Sequence, residues 1–386
     1  MNRARLQLAA SLVFMILALI LGIFRLMNIH SIDAYPSFLA VLYPLHPNIM
    51  VFGFLVPIIM TERMVGSKIL NLSRIYNLSA DLMVPLTIFG LVLQIVSFLT
   101  DIRLLNTLGG VLIVFALLLF ILLLYALSIK TDTKLPFYFM ILSILPILGF
   151  AILWIDSMYI LGIAEVLLLL LFPIIFIFGE RVELTRFVSK KYSLSAYRSV
   201  FILCGFVTAL TLVSAIYTTG HLALYLVFSV LMFISVVLIY SEQRNFIRAS
   251  KSALPLQRYV GRHVTVAYLW LIAGCVFGLM YASGFPGFMY DALIHSFTVG
   301  YIGTMLLAHG PVILPSVTGR KVDQSKVTLL PLILLTLSNL IRVFGDISLS
   351  QSIQNIISFA SGVSGWFILV AIIIFLRSLL FSARRA

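Results

Sequence analysis

The sequence predicts an all-α, polytopic membrane bundle of twelve transmembrane helices, forming a single domain over residues 1–386. Three observations carry that expectation. Of the 386 residues, 62% are apolar and only 10% charged, with a mean hydropathy of +1.16, so most of the surface must face lipid tails and not water. The apolar residues gather into runs of about 20, the length that crosses a bilayer core. The basic residues fall into alternate loops, as topology requires.

Runs broken by charge, Gly or Pro give spans at about 6–28, 42–61, 79–99, 104–128, 136–155, 158–178, 197–217, 220–241, 263–283, 288–312, 327–345 and 354–376. The first follows Arg3 and Arg5 and is too long for a cleavable signal, with no convincing small-x-small site to close it. Asp101 and Arg103 separate the third from the fourth, Lys130 and Lys134 the fourth from the fifth, and the basic stretch Arg244 to Arg262 the eighth from the ninth. No soluble domain and no low-complexity segment remains.

Of the 26 Lys and Arg, 23 fall on one side of this arrangement, leaving Arg25, Arg103 and Arg342 on the other. One missed span would scramble that segregation. The positive-inside rule then puts both termini in the cytoplasm of a cell membrane protein. The net charge of +13 is spent on orientation and anionic headgroups, and no aromatic-interleaved basic patch suggests nucleic acid. Cys204 and Cys275 lie in apolar runs without metal-ligand spacing and read as packing residues.

Ionisable or metal-liganding side chains inside hydrocarbon are costly, so each one in a span is a functional candidate. His46 lies about a turn inside the outer end of the second span, and His295 about seven residues into the tenth. At 1.5 Å per residue His295 is roughly 10 Å from the headgroups and His46 slightly less. Two neutral imidazoles at matching depth suit an iron porphyrin, which accepts an axial nitrogen from each face. Gly300, Gly303 and Thr304 follow His295 along its helix, and small residues let another helix or a flat ring approach closely. Gly53, between Phe52 and Phe54, does the same near His46. The plainer alternative is a pair of helix-end histidines hydrogen-bonded to carbonyls or loop waters.

The segment from His295 to Arg320, HSFTVGYIGTMLLAHGPVILPSVTGR, resembles the signature of the NnrS family, approximately HALTVGAIGTMTLAVMTRATLGHTGR. LHPNIMVFGF is similar to that family's HAHEMLFGF stretch, and FGERVELTRF to its GGRVIPFFT. The three stretches cover about an eighth of the chain. The resemblance implies a twelve-span membrane protein with haem and copper, linked to nitric-oxide stress and denitrification. It also implies a fold like subunit I of haem–copper oxidases, in which histidines of spans two and ten bind the low-spin haem. Carried over residue by residue, it implies haem b held by His46 and His295.

The departures bear on copper. The second His and the Glu of HxHEM fall on Asn48 and Ile49, and the His of GHTGR falls on Val317. Spans 158–178 and 197–217 contain no histidine to match the oxidases' copper ligands. Dioxygen reduction by that mechanism is therefore not expected, and copper itself stays open.

Further candidates follow from position. Glu165, about seven residues into the sixth span, suits a proton carrier or second-metal ligand, or else a hydrogen-bonded interhelical carboxyl. Asp291, one turn before His295, suits a hydrogen bond to a ligand or a propionate, though the helix dipole already favours a carboxylate there. His221 opens the eighth span as a further ligand candidate. His309 reads as structural, and His263 and His30 as interfacial loop residues. Arg342, Arg25 and Arg103 are candidates for haem propionates, against local pairing of Arg342 with Asp346 and Arg103 with Asp101.

A bis-histidine iron is coordinatively full, which favours electron transfer or sensing over direct gas chemistry, with a quinol or respiratory-chain protein as redox partner. Two other classes compete: a twelve-span secondary transporter, and a cofactor-free membrane subunit of a respiratory complex. TERMVGSKILNLSR, after the second span, lacks the Gly-x-x-x-Asp-Arg-like pattern of major-facilitator transporters, and neither a half-to-half repeat nor a long central loop is evident.

Overall fold

The structure is a computed structural model that describes residues 2–29, 41–69, 72–132, 134–156, 162–188, 194–217, 220–285, 288–318, 320–322, 328–348, 354–381 and 383–385. Twelve helices in it are long and apolar enough to cross a membrane. They are α1 Asn2–Ile29, α2 (residues 43–69), α3 Arg74–Thr100, α4 Arg103–Ile129, α5 Leu135–Asp156, α6 Ile163–Val188, α7 Leu194–Tyr217, α8 His221–Ser250, α9 Pro255–Ala282, α10 (residues 289–318), α11 Leu330–Ser348 and α12 Gln354–Phe381. The chain is a multi-pass, all-α membrane protein, and each span expected from the sequence has its helix. One small element was not expected: Arg320–Val322 and Ala383–Arg385 pair antiparallel, with Lys321 opposite Arg384.

The chain divides into two compact units, residues 1–22 with 36–183 and residues 23–35 with 184–386. In the first unit α3 and α4 cross at glycines. A Cβ on Gly90 would meet the Gly109 carbonyl at 2.6 Å, and one on Gly109 the Gly90 carbonyl at 2.5 Å, so a side chain at either position would force the helices apart. Asp101 makes the turn between them at φ 55°, a left-handed conformation that Asp tolerates. In the second unit α8 and α9 form a hairpin running several residues past the expected apolar runs. Its tight base is closed by Gly261 against the backbone of Ala249 and Ser250.

Burial is uneven in a regular way. The most apolar windows of α2, α6 and α10 are 72%, 83% and 61% buried, against 33–56% for the other nine. Every fourth helix, counting from α2, is thus the one most enclosed by protein. Two of these three are also not plain α-helices. Ile49–Leu55 in α2 and Ser296–Gly303 in α10 are π-helical. Such wide turns rotate the faces before and after them out of ordinary 3.6-residue register and concentrate at functional sites.

Candidate functional site

His295 stands immediately before a π-helical stretch, closing Met289–His295, and His46 stands three residues before one, opening the turn His46–Asn48. His46 belongs to the first unit. Its Nδ1 lies 2.8 Å from the carbonyl of Ala18 on α1. Gly22, one turn further along α1, makes room: a Cβ there would meet the ring at Cε1, 2.6 Å away. A carbonyl only accepts, so Nδ1 carries the proton and the lone pair of the neutral ring resides on Nε2, the tautomer of a metal-ligating imidazole.

His295 belongs to the second unit and reaches the same tautomer within its own helix, Nδ1 donating to the Asp291 carbonyl at 2.9 Å. The Asp291 carboxylate adds a contact, Oδ2 to Nδ1 at 3.3 Å. Arg342 of α11 in turn holds that carboxylate, Nε donating to Oδ2 at 2.7 Å and Nη2 to Oδ1 at 3.1 Å. The second unit thus brings His295, Asp291 and Arg342 together, a grouping that sequence position did not suggest. Arg342 pairs with Asp291 and not with its near neighbour Asp346, and its bidentate donors are directed at that carboxylate. The carboxylate–imidazole contact is the support that orients metal-bound histidines and raises their basicity.

Other candidates lie elsewhere or differently. Gly300 packs against α9, where a Cβ would meet Cγ of Trp270 at 2.5 Å, so its missing side chain admits a neighbouring helix. Gly303 has more room, with Leu335 of α11 at 3.7 Å from an added Cβ. Gly53 admits Phe14 of α1. Glu165 is in the first turn of α6, since that helix begins at Ile163, and not seven residues in; the helix dipole accounts for a carboxylate there. His221 is the exposed first residue of α8. Arg25 and Arg103 are exposed. His309 donates Nδ1 to the Met305 carbonyl at 2.8 Å, and His30 lies outside the described residues. His263 is corrected outright. It is fully buried nine residues into α9, Nδ1 on the Tyr259 carbonyl at 2.8 Å and its ring 3.9 Å from that of Tyr259, because α9 begins at Pro255. Cys204 and Cys275 are buried, as packing residues are.

Two clusters escaped the sequence reading. In the first unit Arg63 of α2 meets three carboxylates, Glu180 at 2.8 Å and Glu183 at 3.2 Å on α6 and Glu62 beside it at 3.8 Å, with its guanidinium carbon 5.4 Å from the centre of the Phe176 ring. The i, i+3 spacing of Glu180 and Glu183 was the available signal. In the second unit Glu242 of α8, fully buried, accepts the Tyr268 hydroxyl of α9 at 3.0 Å. Among the described residues no three His, Cys, Asp or Glu side chains converge to hold a metal ion. A two-imidazole iron needs no such cluster.

A family described as "Domain of unknown function (DUF8744)" matches residues 5–384, and the chain belongs to it. No curated protein matches the chain.

Proposed function

We propose that this member of the family is a haem-b-binding integral membrane protein acting in electron transfer or the nitric-oxide response, with His295 and His46 as the axial imidazoles. The observation that supports this most is that both rings precede a π-helical stretch, since the Nδ1-donating state is shared with His263 and His309. Each donates Nδ1–H to a carbonyl, keeps its lone pair on Nε2 and precedes a π-helical stretch. They also stand on two of the three most enclosed helices, where an ordinary helix-end histidine has little reason to be. Haem b between two imidazoles supplies a one-electron couple.

In this reading the Ala18 carbonyl and Gly22 fix the His46 ring against α1, and Asp291, clamped by Arg342, fixes His295 and strengthens it as a donor. Copper is not part of the reading, because Asn48 and Ile49 replace the liganding pair of the resembling motif. The protein lies in the cell membrane with both termini cytoplasmic, the side that carries 23 of its 26 basic residues, and its donor is a quinol or a respiratory-chain protein.

The test is the visible spectrum of the purified protein with a pyridine haemochrome assay and metal analysis. A Soret band that moves on dithionite reduction, with iron and protohaem in equal amount, is expected. A colourless, iron-free protein that does not take up added haem would leave the transporter and cofactor-free readings in its place.

A further inference from the structure

Buried hydroxyls in this protein commonly satisfy themselves within their own helix. Ser11, Thr61, Thr87, Thr211 and Ser235 each donate to the carbonyl four residues earlier at 2.7–2.9 Å. Others do not, Thr185 and Thr208 among them, and six residues with unmet side-chain oxygens stand on three neighbouring helices of the second unit. Ser296 and Thr304 on α10, Thr336, Asn339 and Asp346 on α11 and Ser361 on α12 all carry buried side-chain oxygens without a hydrogen-bond partner among the described residues, and the Asn339 amide nitrogen is in the same state. Ser296, Thr304 and Ser361 are 0% exposed, Asn339 1% and Asp346 2%.

The helices that carry these groups are neighbours and meet along a seam. Helix α11 packs against both α10 and α12. Asn339 and Asp346 are seven residues apart, two turns on one face, and Thr336 is one turn before Asn339. The α12 side is tied in where Gly345 touches Ser361. The α10 side is tied in by the Arg342–Asp291 pair and by the Phe288 amide, which donates to the Asp346 carbonyl at 3.1 Å. The Asp346 carboxyl itself faces Asp291 and Arg342. From Thr336 to Asp346 the seam is about 15 Å long at 1.5 Å per residue.

We propose that this seam holds a file of bound water molecules and conducts protons between the Asp346 carboxyl and the middle of the membrane. Buried polar atoms are satisfied almost without exception in folded proteins, and those that lack a protein partner are met by ordered water or by a ligand. A compact ligand needs its polar partners gathered around one spot. Here they are strung out along the helix, neutral except at the Asp346 end, and they mix donors with acceptors, which suits a succession of waters with two to four partners each. Transfer along such a file leaves it chemically unchanged: each O–H bond that breaks is replaced by one formed with the next oxygen, so one proton arrives at one end as another departs at the other. The proposal does not depend on haem.

X-ray hydroxyl-radical footprinting of the full protein in nanodiscs tests it, because radicals form from bound water in place and oxidise the side chains it touches. Leu335, 4% exposed, lies beside Gly303 in the seam, and Leu231, 1% exposed, whose carbonyl accepts the self-satisfied Ser235, is a buried control. Leu335 should be oxidised about an order of magnitude faster than Leu231 if it borders a water file. Asn339→Leu should bring it down to the control. Thr336→Val gives a second readout: it removes a water partner and should lower the melting temperature. Oxidation of Leu335 no faster than that of Leu231, or a rise in melting temperature on Thr336→Val, as relief of a dry unsatisfied hydroxyl would give, overturns the proposal.

Discussion

Arg342 grips Asp291 through two hydrogen bonds of 2.7 and 3.1 Å across 51 positions of sequence, and Asp291 in turn backs His295 at 3.3 Å. This chain of contacts, guanidinium to carboxylate to imidazole, joins α11 to the part of α10 that precedes its π-helical stretch. Planar, bidentate, charge-assisted pairs of this kind are rigid as well as strong. The orientation of His295 is thus set from a neighbouring helix.

Asp291→Asn should therefore act in two ways. It takes its bidentate partner from the Arg342 guanidinium, whose side chain is only 9% exposed, and leaves the Asp346 carboxyl as the nearby countercharge, so the loss should fall below the ~3–5 kcal/mol of a buried charge left wholly unpaired. It also withdraws the carboxylate behind His295, so any haem absorbance should shift even in molecules that stay folded. Thermal unfolding and visible spectra of the same preparation check the two effects separately.

Gly22→Ala puts a methyl group against the His46 ring, 2.6 Å from Cε1. An imidazole cannot yield as a flexible chain end would, so the ring must leave the Ala18 carbonyl. The expected result is a folded protein of nearly unchanged melting temperature whose low-spin spectrum is weakened or lost. Normal spectra in this variant would count against His46 as a ligand.

Tyr268→Phe removes the hydroxyl that Glu242 accepts inside the membrane. A loss of about 1–3 kcal/mol is expected for removing one hydrogen bond from a buried acceptor, and Glu242→Leu should cost less than that, since it removes the acceptor as well. Comparison of the two variants by chemical denaturation in mild detergent decides the matter.

Arg63→Gln takes the positive charge from a group of three carboxylates in the first unit. Destabilisation of up to about 3–5 kcal/mol is expected, chiefly from Glu180, the one buried carboxylate of the three. Arg63→Gln combined with Glu180→Gln should recover part of it, because the double change removes a charge left alone by the single one. A melting-temperature series over the single and double variants measures that coupling.

The bundle was legible in the sequence because lipid imposes a length and a composition on every span, and the basic loops fixed their parity. Helix ends were less so. Charge marks where a helix leaves hydrocarbon, not where it stops, which is why α8 continues to Ser250, α9 starts at Pro255, and His263 turned from a loop residue into a buried one. Depth also placed His46 and His295 in their helices. What depth cannot supply is rotation: the π-helical stretch shifts the face of α10, so Gly300 meets Trp270 even though it follows His295 by one and a half turns. Pairings across long separations, Arg63 with Glu180 and Arg342 with Asp291, have no local signature, and the nearer Asp346 was the natural wrong partner.

The reduced-minus-oxidised visible spectrum of His295→Ala, set beside that of the unchanged protein purified in parallel, tests the haem assignment most directly. The assignment predicts a low-spin haem b signature in the unchanged protein and its disappearance, with loss of haem or conversion to high spin, in the variant. An identical low-spin spectrum in both would contradict it.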